Sequence, residues 1–69
     1  MPVGTVKFFD ANKGFGFIIP DGRGKDVFVD MSTVERSGMG MLSEGQRVHY
    51  DTEISRRSGK IYATNLRPA

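Results

Sequence analysis

Apolar and polar residues alternate with period two in five short runs, separated by clusters of Gly, Asp, Asn, Ser and Pro. This is the pattern of half-buried strands joined by tight connections. The first run, Val3 to Asp10, places Val6 inward and Lys7 outward. Phe8 and Phe9 are adjacent, so strict alternation cannot send both to one face; one faces the core and the other solvent, which a bulge would accommodate. The second run spans Gly14 to Ile19 and stops at Pro20, which cannot donate to a ladder. Within it Phe15 and Phe17 share one face, and Gly14, Gly16 and Ile18 the other. The third, Asp26 to Met31, turns Val27 and Val29 inward and Asp26, Phe28 and Asp30 outward. Arg47 to Ser55 is the fourth, with Val48, Tyr50, Thr52 and Ile54 on one side and His49, Asp51 and Glu53 on the other. Lys60 to Leu66 is the fifth, and its alternation is less regular.

The connections are equally legible. Asp10-Ala11-Asn12-Lys13, Asp21-Gly22-Arg23-Gly24 and Arg56-Arg57-Ser58-Gly59 are built from residues that bond their own backbone or tolerate left-handed dihedrals. Ser32-Thr33-Val34-Glu35 fits a capping box, with Ser32 and Glu35 satisfying the first free amides of a helix. No helical apolar period follows, so a single turn is expected. Arg36 to Gln46 is the longest irregular stretch, with Leu42 expected to plug the end of the core. Five short strands and one helical turn after the third describe an all-β domain. At this size a small closed or nearly closed barrel best hides the strand edges.

Three outward rings, Phe15, Phe17 and Phe28, therefore fall on neighbouring strands. Phe15 and Phe17 have little but glycine behind them, where a strand that only closes a core would more usually carry Val or Ile. One exposed ring is ordinary; three together form a patch, and patches bind something.

Composition narrows what that something is. The 69 residues make one domain, residues 1–69, near the lower limit of what folds without staples. There is no Cys and a single His, His49, which is expected in solvent. Neither a disulfide framework nor a thiolate metal site is available, and no metal or cofactor is expected. The carboxylates are scattered over turns and outward faces, and no Gly-Lys-Ser or dinucleotide glycine spacing occurs, so the chain does not read as an enzyme and no small-molecule substrate is expected. No apolar run approaches the roughly eighteen residues that span a bilayer, and no apolar signal segment opens the chain. A soluble cytoplasmic protein without membrane contact is expected.

Ten Lys and Arg stand against eight Asp and Glu, a net charge of +2. Residues 1–31 balance at four against four, and the excess lies further on, with Arg56, Arg57 and Lys60 close together. So mild a charge cannot hold nucleic acid mainly by counterion release; stacking must contribute much of the affinity.

At this point the residues match a known family: the chain resembles the bacterial cold-shock proteins over essentially its whole length. Gly4-Thr5-Val6-Lys7-Phe8-Phe9 is similar to their opening strand. Lys13-Gly14-Phe15-Gly16-Phe17-Ile18 matches their first ribonucleoprotein motif, and Asp26-Val27-Phe28-Val29 the start of the second. Leu42 to Val48 and Ala63 to Leu66 are similar to the entry of the fourth strand and to the last strand. The resemblance implies a five-stranded antiparallel OB-type barrel binding single-stranded RNA and DNA on strands one to three, and a role as an ATP-independent RNA chaperone or transcription antiterminator. The matched binding positions are Lys7, Phe8, Lys13, Phe15, Phe17 and Phe28.

Three departures from the family pattern bear on the same face. Phe8 stands where Trp is more common, Asp30-Met31 where His-Phe is usual, and Met39 at a loop position that is usually aromatic. Asp30 reads either as a solvated carboxylate that repels phosphate or as an acceptor for a base edge such as cytosine N4. Met31 and Met39 read as adaptable apolar fill that can also lie against a base. Arg56, Arg57 and Lys60 read either as a solvated hairpin or as steering charge. The alternative function is an eroded barrel whose face contacts a protein partner. A monomer is expected, with strand exchange through the Arg36 to Gln46 connection as the route to a dimer.

Overall fold

The computed structural model describes residues 2–22 and 24–69. Its elements run β1 (Val3–Asp10), β2 (Phe15–Pro20), β3 (Val27–Asp30), α1 (Met31–Arg36), β4 (Arg47–Ile54) and β5 (Ile61–Pro68). The strands close into a barrel in the order β1-β2-β3-β5-β4, the OB-type architecture expected from the sequence. Every pairing is antiparallel except β3 with β5, where Phe28 lies opposite Tyr62 in a parallel contact. Parallel neighbours need a crossover of a dozen residues or more, and the chain from α1 through β4 supplies it.

The barrel's shape depends on an irregularity in β1. Val6 pairs with Ile18, but the next pair is Phe8 with Phe17, so Lys7 is an extra residue on the β1 side. Without it Phe8 would follow Val6 into the core. With it Phe8 turns outward opposite Phe17, and Phe9 turns inward opposite Gly16 and packs against the core. The adjacent phenylalanines are thus divided between faces by a bulge.

Gly16 is required by this arrangement. A Cβ there would run into the Phe8 carbonyl oxygen and lie 2.7 Å from Phe9 Cα and 2.8 Å from Phe9 Cδ1. Its role is close approach of two backbones, more than the clearing of space behind the rings. Gly14 has φ 80° and belongs to the turn, so β2 begins one residue later than expected. That turn is closed by Asp10, whose Oδ1 accepts from the amides of Asn12 (2.9 Å) and Lys13 (3.1 Å).

A second irregularity explains the poor alternation of β5. His49 pairs with Arg67 and Asp51 with Thr64, so β5 carries the extra residue. Asn65 sits there at φ 50°, a region that Asn tolerates better than most residues, and its Nδ2 donates to Asp51 Oδ2 at 3.0 Å. Ala63 and Leu66, three apart, both reach the core as a result. On β4 the expected inward face is buried only at Val48 and Tyr50; Thr52 and Ile54 extend past the barrel, and Ile54 is exposed. His49, expected in solvent, is half-buried.

Two expected boundaries change. β3 is only Val27–Asp30, since Asp26 precedes the ladder and Met31 opens α1. The helix is capped by Asp30, not Ser32: Asp30 Oδ1 accepts from Thr33 N (2.9 Å) and Ser32 Oγ (3.1 Å). Asp, two residues earlier, competes well for this position because its carboxylate also favours the positive end of the helix. Of the expected turn at 21–24, Arg23 lies outside the described residues; Asp21 is gripped by Arg47 through two hydrogen bonds of 2.5 and 2.6 Å. The Arg47 guanidinium holds the Asp21 carboxyl below its ordinary value.

The core comprises Val6, Ile18, Val27, Val29, Val34, Leu42, Val48, Tyr50, Ala63 and Leu66, with Leu42 filling the place foreseen for it. Val34 joins α1 to this cluster, and the Ser37 hydroxyl accepts from Leu66 N at 3.0 Å, tying the helix end to β5.

Gly16→Ala is expected to cost about 3 kcal/mol, the upper end of overpacking penalties, because the clash is with backbone. Gly22→Ala, where an added Cβ meets nothing within 4 Å, should change stability by less than about 0.5 kcal/mol. Urea denaturation of both variants checks the contrast; equal midpoints would contradict the close-approach role.

Candidate nucleic-acid interface

The bulge at Lys7 turns Phe8, a position that the resemblance implied and alternation left open, outward beside the three rings that alternation exposed. Phe8, Phe15, Phe17 and Phe28 form one cluster on the outer face of β1, β2 and β3, with neighbouring centroids 5.6–6.2 Å apart. Cross-strand register makes the cluster: Phe17 is opposite both Phe8 on β1 and Phe28 on β3, and Phe15 is two residues along β2. Phe15 and Phe28 lie nearly parallel, at 19°, and the other pairs meet at 55–86°. These are the edge and offset geometries that aromatic quadrupoles favour. The rings hold one another in place, and Phe8 remains 36% exposed. Such a surface offers π faces and edges at several angles to successive flat ligands.

The charged neighbours are arranged less openly than the sequence implied. Lys7 Nζ lies 3.1 Å from Asp26 Oδ2, an exposed ion pair that contributes no more than about 1 kcal/mol and is readily exchanged for another anion. Lys13 stands exposed on the β1–β2 turn, its amide held by Asp10. Asp30 is opposite Phe15 across the β2–β3 ladder, but its Oδ1 is committed to the helix cap. Burial opposes its charge, and hydrogen bonds from Thr33 and Ser32, with Arg36 nearby, outweigh that opposition and hold its carboxyl below the ordinary value. Met31 and Met39 are partly buried and packed against the core. The structure therefore brings together Lys7, Phe8, Phe15, Phe17 and Phe28, sets Lys13 and Asp30 at the rim, and leaves the two methionines partly buried against the core.

Among the described residues, no group of three or more His, Cys, Asp or Glu is placed to hold a metal ion. No helix of the described residues is long and apolar enough to cross a membrane.

The sequence of this barrel is similar to that of known proteins. Residues 3–69 match the family described as the 'Cold-shock' DNA-binding domain. The chain belongs to the cold-shock domain family. It is 56% identical over 69 residues to cold shock protein CspA of Rhizobium meliloti, with all of both chains covered. It is 53% identical over 66 residues to a probable cold shock protein of Sinorhizobium fredii, covering 96% of each chain. Cold shock protein 2 of Lactiplantibacillus plantarum is 48% identical over 68 residues, covering 99% of this chain and 98% of the relative. Membership supports nucleic-acid binding of the cold-shock type.

One feature of this cold-shock barrel was not legible beforehand. Tyr62 lies opposite Phe28 in the parallel β3–β5 contact and borders an open groove of about 740 Å³ between α1 and the β4–β5 hairpin. Phe28, Thr33, Arg56, Arg57 and Lys60 also line it. The irregular β5 pattern hid which way Tyr62 points; its aromatic type close to a basic turn was the only signal.

Asp30→Ala should destabilise the fold at neutral pH by about 1 kcal/mol, the usual worth of an N-cap. Because the folded-state value is depressed, that contribution is present above the ordinary carboxylate value near 3.9 and lost as pH falls through the lower folded value. The gap between wild type and Asp30→Ala in urea denaturation should shrink in acid, and Asp30→Asn should retain most of the cap. A pH-independent gap would contradict the charged-cap account.

Proposed function

We propose that this chain binds single-stranded RNA and DNA by stacking unpaired bases on Phe8, Phe15, Phe17 and Phe28, and that it acts in the cytoplasm as a monomeric, ATP-independent RNA chaperone or transcription antiterminator of cold-shock type. The observation that carries this reading is the four-ring cluster on the outer face of β1–β3. Every base has a π face, so such a surface accepts many sequences, and each stacked base contributes about 1–3 kcal/mol. Lys7 and Lys13 lie beside the rings, where a phosphate would replace Asp26 at Lys7. Bases stacked on a protein are withdrawn from duplex pairing. The protein thus shifts a hairpin toward its open form by mass action alone, which needs no nucleotide hydrolysis and no catalytic group.

The alternative of a protein-binding face drew on Asp30, Met31 and Met39. With Asp30 in the helix cap and both methionines packed on the core, these residues offer little of the adaptable Met-rich surface that reading needs.

A fluorescently labelled pyrimidine strand of about seven nucleotides, titrated by anisotropy, should bind at micromolar or lower concentration with a shallow salt slope. Phe15→Ala and Phe17→Ala should each weaken binding by roughly tenfold or more. Absence of binding at about tens of micromolar, to this strand and to purine-containing ones, would remove the chaperone reading.

A further inference from the structure

We propose that the peptide joining Asp21 to Gly22 is a site of spontaneous isoaspartate formation, and that Arg47 restrains the reaction by holding both oxygens of the Asp21 carboxylate.

The chain supplies the reactants itself. The Gly22 amide nitrogen attacks Asp21 Cγ and a C–N bond forms. One carboxyl oxygen leaves as water, carrying its own proton and the amide proton, and a five-membered succinimide remains. A water molecule then opens the ring at either carbonyl. Opening at Cγ restores aspartate; opening at the α-carbonyl leaves the main chain running through the β-carboxyl. No oxidant, cofactor or enzyme is needed, and the mass of the final product is that of the starting chain.

Residue order selects the position. Every other Asp or Asn is followed by a residue whose side chain crowds the attacking nitrogen, and only Asp21 precedes a glycine. Gly22 is exposed, and a Cβ built on it would meet nothing within 4 Å. No packing on that side resists the rotation that the attack requires, and glycine adds its own backbone freedom.

The fold restrains the carboxyl. Arg47 Nη1 and Nη2 donate to Asp21 Oδ1 and Oδ2 at 2.5 and 2.6 Å, so one guanidinium fork engages both oxygens. Nη1 also donates to Thr5 Oγ1 at 3.1 Å, and the Asp21 amide donates to the Val3 carbonyl at 2.9 Å, which fixes donor and acceptor to β1. An ionised carboxylate is a poor electrophile, and neither oxygen leaves as water while Arg47 holds its charge. The same hydrogen bonds keep the carboxyl below its ordinary value, so the reactive protonated form is scarce. Attack therefore waits for the pair to open. Both side chains are about half exposed, and a surface pair of this kind opens readily. Once formed, isoaspartate carries its free carboxylate directly on Cα, out of the fork, and adds a methylene to the connection between β2 and β3. The isoaspartyl fraction thus records how long the clamp has stood open.

Wild type, Arg47→Gln and Gly22→Ala are aged in warm neutral buffer below their unfolding transitions. Isoaspartate is counted with an isoaspartyl O-methyltransferase and radiolabelled S-adenosylmethionine, and located by electron-transfer fragmentation, which separates the two linkages at equal mass. Wild type should accumulate it at Asp21 ahead of every other position. Arg47→Gln should do so roughly fivefold faster, the reach of one surface ion pair. Gly22→Ala should accumulate scarcely any. Equal rates in wild type and Arg47→Gln, an undiminished rate in Gly22→Ala, or no isoaspartate at Asp21 in either wild type or Arg47→Gln overturns the proposal. Should Arg47→Gln not fold, wild type is aged in native buffer and in denaturing urea; equal rates in the two overturn it likewise.

Discussion

The close approach of β1 to β2 at Gly16, together with the extra residue Lys7 that allows it, is the constraint on which the rest of the molecule depends. A regular β1 would bury Phe8 behind Val6 and leave Phe9 in solvent. The bulge reverses that assignment: Phe9 fills the space that a side chain at position 16 would occupy, and Phe8 joins Phe15, Phe17 and Phe28. One local irregularity therefore completes the core and the ring face together. A change that repairs the strand's regularity would damage both.

The other devices of the fold manage the borders of that face. Asp30 closes β3 and starts α1 in a single residue, so this carboxylate opposite Phe15 is spent on the Thr33 amide and the Ser32 hydroxyl. The extra residue in β5, accommodated by Asn65, lets Ala63 and Leu66 both reach the core and leaves Tyr62 beside Phe28. Lys7, the bulged residue, is held by Asp26 in a surface pair weak enough to be exchanged. With a net charge of +2, the molecule is suited to ligands whose bases give the contact energy and whose phosphates add little beyond orientation.

Much of this was readable from residue order. Alternation located all five strands, and β1 to within its observed ends, because one buried face leaves a period-two record that packing does not disturb. The adjacency of Phe8 and Phe9 announced a bulge without saying which ring would turn outward; that depends on Gly16 across the ladder, a contact between segments. The cap was misplaced by two residues because Asp30 and Ser32 are both good N-caps and only the end of the β3 ladder decides between them. Tyr62 was overlooked because the β5 irregularity breaks the parity by which a side chain's direction is read. The exposure of Ile54 was unforeseeable for another reason: alternation tells which face a residue is on, but not how far the core extends along the strand.

The most direct test of the account is Phe8→Trp, which introduces the only tryptophan of the chain at the position the bulge turns outward. Its emission should be that of a partly exposed indole and should be quenched as a single-stranded oligonucleotide is added, in step with binding followed by anisotropy. A blue-shifted emission indifferent to a strand that demonstrably binds would place residue 8 in the core, and would contradict both the bulge and the ligand face built on it.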